Sequence, residues 1–177
     1  MRALAIDPHT ASIAVAMQVP ASGPVVLTFP PGVQYLLRCM PIFRRAFGIG
    51  LVLYEDCYLS KNAKTYAQLF HVRETVREAV ESSGMRFMLV TASQWQAPLL
   101  LKKGESLRKI NRVELKARAR TLAVKLSGAN NITQDQADAL CILHAFCTSV
   151  LVIADENPKQ ERDRVCLPSR KRKKRQQ

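Results

Sequence analysis

The chain contains few acidic residues for its size. It has 14 Asp and Glu against 27 Lys and Arg, which gives a formal net charge of +13. This deficit favours a polyanionic partner, because Lys and Arg bind phosphates and release counterions. Nucleic acid is the most common such partner. An anionic membrane surface would also explain the charge, but we find neither the amphipathic basic helix nor the lipidation signal that it requires.

Long apolar runs are also lacking. The run from Ala139 to Ala154 contains His144 and is shorter than the roughly 18 residues that a membrane span needs. Asp7 and His9 interrupt the apolar segment near the start, so we expect no secretion signal. We therefore predict no membrane partner and a cytoplasmic location, in a bacterial cell or a phage-infected host. The nucleus or an organelle is the alternative if the host is eukaryotic.

The five cysteines lack the spacing of a metal or redox motif. They include no C-x-x-C pair, and no histidine lies at ligand spacing from them. We expect reduced cysteines that pack as small apolar groups in a cytosolic protein.

Hydrophobic periodicity predicts an α/β domain over residues 1–154. β-prone runs cover 2–7, 12–18, 23–29, 49–54 and 86–91, and helical patterns cover 31–47, 61–83, 107–126 and 134–152. Pro41 is expected to kink or split the first helix, and residues 98–104 are expected to form a loop after a short helix from Ser93. This order predicts a mixed sheet of about five strands flanked by helices. Residues 155–177 are predicted to be a basic, flexible tail, which we interpret as a nucleic-acid arm; a localisation signal is the alternative.

Four carboxylates are predicted to converge in this layout. Asp7 ends the first strand, Glu55 ends the fourth, and Asp135 and Asp138 open the last helix on one face. Clustered acids raise one another's pKa unless a cation neutralises them, so a pair of Mg²⁺ or Mn²⁺ ions is the expected occupant. Two such ions can activate a water and stabilise the leaving oxygen of a phosphodiester.

Three segments of the sequence resemble the RuvC family of Holliday-junction resolvases, which has a ribonuclease H-like fold. ALAIDPHTAS resembles the family's first strand, YEDCYLSKNAKTYAQLFHVRETV its central strand, loop and long helix, and DQADALCILHAF its D-x-x-D-A-L helix. The resemblance implies that the same four acids are the catalytic metal ligands. It also implies a Mg²⁺-dependent endonuclease that resolves four-way junctions by paired nicks, and a homodimer with the 61–83 helix as a plausible interface.

The resemblance also implies DNA contacts outside the acids. Tyr58 occupies the position of an aromatic residue that stacks at the opened junction, and Lys61 and Asn62 belong to the family's K-N-A segment. Gln94 falls where a Q-V-K type segment lies. The basic segment beyond it fills the usual place of phosphate-binding residues, and its candidates are Lys102, Lys103, Lys109 and Arg112.

Other residues have plainer interpretations. Strand alternation directs Asp56 away from Glu55, so we expect it to be solvated or ion-paired. His144 and His71 are expected to be core or interface residues. Trp95 fits packing and DNA stacking equally well. His9 departs from the family, which has glycine there, and this bears on substrate range.

Two alternatives to a strict resolvase stay open at the sequence level. One is a relaxed branched-DNA nuclease that cuts forks and flaps. The other is a non-catalytic, basic DNA-binding protein on the same scaffold, although a scaffold without catalysis would have no electrostatic reason to keep four acids grouped.

Overall fold

A computed structural model describes residues 1–9, 11–19, 22–56 and 63–148 of the 177-residue chain. Its strands are β1 Arg2–Pro8, β2 Ile13–Val19, β3 Gly23–Phe29, β4 Ile49–Glu55 and β5 Arg86–Val90. They form one five-stranded sheet in the order β3-β2-β1-β4-β5. The β1–β2 and β2–β3 pairs are antiparallel, and the β1–β4 and β4–β5 pairs are parallel. The predicted α/β fold with a mixed five-stranded sheet is therefore confirmed.

Helices cover both faces of this sheet. They are α1 Gln34–Phe47, α2 Ala63–Ser82, α3 Ala92–Leu100, α4 Arg112–Ser127 and α5 Gln134–Cys147. The core divides accordingly into two clusters, one under α1 and α2 and the other under α3, α4 and α5. Side chains alternate between the clusters along each central strand, as the period of two requires.

The two faces of β1 and β2 differ in side-chain size. Leu4, Ile6 and Val15 face α1 and α2, whereas the other face carries the small side chains Ala3, Ala5, Ala14 and Ala16. Helix α5 packs across these alanines. Small side chains permit a close approach of the helix backbone to the sheet, which brings the first turn of α5 towards the end of β1.

The effects of two prolines and the bounds of two helices differ from the sequence prediction. Pro41 lies inside α1, which is one uninterrupted helix, and Pro98 lies inside α3, which extends to Leu100. Both prolines are exposed, so a carbonyl that loses its helical N–H partner can bond to water. The last helix ends at Cys147, short of the predicted 152, with Thr148 as its C-cap.

The basic helix α4 begins at Arg112 and not at the predicted residue 107. Asn111 is its N-cap, and the Asn111 side chain accepts a hydrogen bond from the backbone N–H of Val113 at 2.9 Å. This cap satisfies a backbone N–H that would otherwise lack a partner, and it fixes where the helix starts. The sequence contained this information as an Asn followed three residues later by Glu114.

Two predictions from the composition can be compared with the described residues. No helix among them is both long and apolar enough to span a membrane. The three described cysteines, Cys39, Cys141 and Cys147, are free thiols, as predicted. Cys57, Cys166 and the whole predicted tail lie outside the described residues.

Candidate active site

Asp7 and Glu55 lie side by side at the ends of the two central strands. The parallel register pairs Ile6 with Tyr54, so the residues that follow them are neighbours. Asp7 continues the face of Ala5, and Glu55 continues the face of Leu53. Both carboxyls therefore point to the sheet face that α5 covers. Asp7 is buried, with 9% of its surface exposed.

Asp135 and Asp138 reach the same place from the first turns of α5. Thr133 caps this helix in a capping box: its side chain accepts from the backbone N–H of Gln136 at 3.3 Å, and the Gln136 side chain accepts from the backbone N–H of Thr133 at 2.9 Å. The cap sets the helix start, and the spacing of three residues then directs the two Asp side chains to one face.

All four acids line a single pocket of about 460 Å³. Arg112 and Lys116 of α4 line it as well, so two cations lie beside the acid cluster. The predicted convergence of the carboxylates is thus found in the structure. A concave site that collects acids from β1, β4 and α5 next to basic side chains can hold a cation and a phosphate together.

Burial and mutual repulsion disfavour the charged forms of the two strand acids. The pKa of Asp7 is raised well above its ordinary value, first by burial and then by the neighbouring Glu55. The pKa of Glu55 is also raised by burial, although hydrogen bonds with Asp7 and Trp95 oppose this. The close approach of the two carboxyls thus favours the protonated form of Asp7.

The helix acid Asp138 responds to the same environment. Burial, followed by the charge of Glu55, raises the pKa of Asp138 to about 7. A hydrogen bond from Gln134 and the charge of Lys116 act in the opposite direction. Buried acids with raised pKa values cost folding free energy when they ionise, so their grouping points to a functional role.

Trp95 is a member of this site that the sequence did not identify. Its side chain is fully buried in the core under α3 to α5, and its indole N–H donates to Oε1 of Glu55 at 3.0 Å. This burial excludes the interpretation that Trp95 stacks on DNA. Trp95 and Glu55 are 40 residues apart in sequence, so no local pattern could predict this contact.

Two further side chains hold the helix acids. Oγ of Ser12 donates to Oδ2 of Asp135 at 3.2 Å, and Nε2 of Gln134 donates to Oδ1 of Asp138 at 2.8 Å. The second contact spans four residues of one helix, so the Q-x-x-x-D spacing was readable from the sequence. The contact between Ser12 and Asp135 joins the β1–β2 connection to α5, and no sequence pattern indicated it.

The predicted DNA-binding residues divide into three groups. Arg112 lines the acid pocket. Three other predicted residues are exposed and do not line the acid pocket; they are Lys102, Lys103 and Lys109. Tyr58, Lys61 and Asn62 lie outside the described residues. Gln94 is a capping residue, because its Oε1 accepts from the backbone N–H of Thr91 at 2.7 Å and so helps to begin α3.

Asp56 is ion-paired, as strand alternation predicted. Arg73 of α2 donates to its Oδ1 at 3.0 Å, and Asp56 also lines the acid pocket next to Glu55. The guanidinium of Arg73 also bonds Glu74 and lies 4.3 Å from the ring centroid of Phe70. His144 is half-buried and His71 is exposed, and neither lines the acid pocket.

The acid pocket supplies the oxygen donors that a hard divalent cation prefers. Its four carboxylates supply the oxygen ligands that Mg²⁺ and Mn²⁺ prefer, and their raised pKa values mark negative charge that a cation would offset. Among the described residues, however, no three His, Cys, Asp or Glu side chains already form a group that could hold one ion. Binding of a cation would therefore require the ionised forms of these acids and a shift of their side chains.

Comparison with known proteins identifies the fold. The sequence matches no protein-family model and no curated protein. A mixed five-stranded sheet between helical layers, with acids at the ends of its central strands, defines a ribonuclease H-like α/β fold.

Within that class, the chain has the fold of RuvC. Thermus thermophilus RuvC, solved in complex with a Holliday junction substrate, is 14% identical, with 84% of this chain and 96% of that chain covered and a TM-score of 0.61; a second structure of that RuvC gives the same values. Fowlpox virus resolvase, also solved with Holliday junction DNA, is 11% identical, with 86% and 100% covered and a TM-score of 0.52. At these identities the similarity establishes the fold alone.

Proposed function

We propose that this chain is a structure-selective DNA endonuclease that resolves four-way junctions by hydrolysing phosphodiesters. The observation that supports it most directly is the meeting of Asp7, Glu55, Asp135 and Asp138 in one pocket beside Arg112 and Lys116. Thermus thermophilus RuvC and the fowlpox virus resolvase share this fold and were solved with Holliday junction DNA, which supports the choice of substrate.

In this proposal the four acids hold divalent cations, two per site, with Mg²⁺ or Mn²⁺ as the expected metal. The chemistry that such ions supply when bound is activation of a water and stabilisation of the leaving oxygen. The chain's own residues orient the acids: Trp95 holds Glu55, Ser12 holds Asp135, and Gln134 holds Asp138. No side chain acts as a covalent nucleophile.

The basic residues bind the substrate. Arg112 and Lys116 contact the phosphate that enters the pocket, because they are the cations that line it. Lys102, Lys103 and Lys109 bind phosphates further out, and Tyr58, Lys61 and Asn62 contact the junction centre. A homodimer related by two-fold symmetry supplies two such sites, which matches the symmetry of a four-way junction and gives paired nicks.

The decisive experiment uses acid-to-amide substitutions. We predict that Asp7→Asn or Glu55→Gln lowers Mg²⁺-dependent cleavage of a labelled four-way junction by at least about 100-fold, because each removes an anionic oxygen from the cation site. Junction binding without divalent cations stays equal or becomes tighter, since less negative charge repels the phosphates. Gel-based cleavage and fluorescence anisotropy measure the two quantities.

Controls separate this proposal from its alternatives. Glu81→Gln makes the same charge change on an exposed residue of α2 and should leave cleavage unchanged. Full cleavage by Asp7→Asn would refute the site. Equal cleavage of forks, flaps and junctions by the wild-type chain would identify a relaxed branched-DNA nuclease. A cruciform plasmid tests the dimer, because paired nicks yield linear DNA and independent nicks yield nicked circles.

A further inference from the structure

Helix α4 carries a row of cations that leads away from the acid pocket. Arg112, Lys116 and Arg120 follow one another at intervals of four residues, and Lys125 extends the row towards the end of the helix. Side chains at this spacing lie on one side of a helix, with a gradual rotation around its axis. Arg112 and Lys116 are the two that line the acid pocket.

The charges of this row are compensated only near the acid pocket, where Arg112 and Lys116 lie beside the four acids. Arg118 of the same helix pairs with Glu105 and Glu114, so these two acids are already bound to another cation. Among residues 1–9, 11–19, 22–56 and 63–148, no carboxylate lies within salt-bridge distance of Arg112, Lys116, Arg120 or Lys125. Within the described residues, Arg120 and Lys125 thus have no acid beside them, which favours a partner that carries regularly spaced negative charge.

The same side of α4 forms one wall of a groove, which we call the α4 groove. It has a volume of about 670 Å³ and is lined by Val113, Lys116, Ala117, Arg120, Thr121, Val124, Lys125 and Gln134. Small side chains lie between the cations, and Val113 is 73% exposed. The surface is therefore shallow and basic, and a sugar–phosphate chain can approach it closely.

The α4 groove adjoins the acid pocket. Lys116 lines both of them. Gln134 lines the groove and donates a hydrogen bond to Asp138 in the pocket at 2.8 Å. A strand bound along the groove would thus reach the acids without crossing another element.

We propose that the α4 groove binds the phosphate backbone of one DNA arm and directs that strand into the acid pocket. This inference rests on the proposed nuclease function and adds Arg120 and Lys125 to the DNA-binding surface. Arg112 and Lys125 are thirteen positions apart, which corresponds to about 20 Å at 1.5 Å per residue. That length matches roughly six base pairs at 3.4 Å each, which is one arm next to the scissile phosphate.

The groove fits a nucleic acid better than it fits the chain's own basic C-terminal residues. Residues 155–177 are strongly basic, ending in SRKRKKRQQ, so their charge opposes binding beside Lys116 and Arg120. An acidic protein segment would satisfy the charges, but it would not explain why the row ends at the acid pocket.

The test compares two double variants of the full chain that each lose two positive charges. Arg120→Gln/Lys125→Gln alters the groove, whereas Arg38→Gln/Arg45→Gln alters exposed residues of α1 on the other side of the sheet. Binding to a four-way junction without divalent cations is measured over a range of salt concentrations. Each phosphate contact contributes about 0.9 to the slope of log K against log salt, so the groove variant should lower the slope by about 1.8.

The outcomes are distinguishable. A smaller slope for the groove variant, with a wild-type slope for the α1 variant, supports the inference. Equal slopes for the two variants, while the wild-type chain binds and cuts junctions, would overturn the groove and leave the proposed function standing. Polyglutamate serves as a second probe, for an acidic protein partner. If the groove variant lost polyglutamate binding and kept wild-type junction binding, the groove would be assigned to an acidic protein and the inference would be overturned. A wild-type chain that binds no junction DNA would overturn both proposals.

Discussion

Trp95 connects the hydrophobic core to the acid pocket. It is the chain's only tryptophan, its side chain is fully buried, and its indole N–H donates to Glu55 at 3.0 Å. The hydrogen bond favours the carboxylate form of Glu55 and fixes the orientation of its Oε1. The remaining oxygen of Glu55 is thereby left to a cation, so the indole acts as a positioning group behind a candidate metal ligand.

We predict that Trp95→Phe weakens Mn²⁺ binding by roughly 10- to 100-fold, as the loss of a partner behind a metal ligand commonly does. The phenyl ring keeps much of the apolar packing but cannot donate to Glu55. Titration calorimetry measures the Mn²⁺ affinity, and the half-saturating Mn²⁺ concentration for junction cleavage should rise with it.

A matched variant separates positioning from packing. Leu100→Ala removes another buried side chain of α3, which does not line the acid pocket. It should lower the free energy of unfolding by a few kcal/mol, roughly 2–5 for such a truncation, and leave Mn²⁺ affinity unchanged. Equal loss of Mn²⁺ affinity in both variants would mean that Trp95 acts only through the stability of the core.

Individual residues differed in how well the sequence predicted them. The four acids could be predicted because each ends a strand or opens a helix, positions that local pattern reveals. Ser12 and Trp95 could not, because their partners Asp135 and Glu55 are remote in sequence and depend on how α5 and α3 pack. The fold and the acids were thus readable, and the groups that orient the acids were not.

At the scale of elements, the start of α5 controls the positions of Asp135 and Asp138. The capping box of Thr133 and Gln136 begins the helix, and the Gln136 side chain also donates to Oγ1 of Thr28 in β3 at 2.9 Å. The first turn is thus attached to the sheet. The start of α4 was misplaced although Asn111 and Glu114 form a similar cap pattern, because the apolar periodicity extends upstream of that cap.

We predict that Thr133→Ala lowers the free energy of unfolding by about 1 kcal/mol, the usual cost of losing a Ser or Thr cap. Thr133→Ser keeps the hydroxyl and should restore nearly all of that loss. Urea unfolding followed by circular dichroism measures both. If the serine variant were as unstable as the alanine variant, the methyl group of Thr133 and not the cap would carry the effect.

At the scale of the whole molecule, positive and negative charges are segregated. The formal charge is +13, yet five of the 14 acids line one pocket: Asp7, Glu55, Asp56, Asp135 and Asp138. The basic surface attracts polyanions from a distance, whereas the pocket repels a phosphate unless a cation is present. Under the proposed function, productive binding would therefore require the metal and the DNA together.

The acid pocket should make the stability of the metal-free protein depend on pH. The pKa of Asp138 is raised from 3.8 to about 7, and that of Asp7 is also raised, so the folded chain holds protons that the unfolded chain releases. The free energy of unfolding must then fall as the pH rises between these values. We predict a lower urea midpoint at pH 8 than at pH 5.5 in EDTA, and a smaller difference in Asp138→Asn, which cannot ionise there. Millimolar Mg²⁺ should reduce the wild-type difference, because a bound cation stabilises the ionised acids. An equal or higher urea midpoint at pH 8 in EDTA would contradict the raised pKa values of the pocket acids.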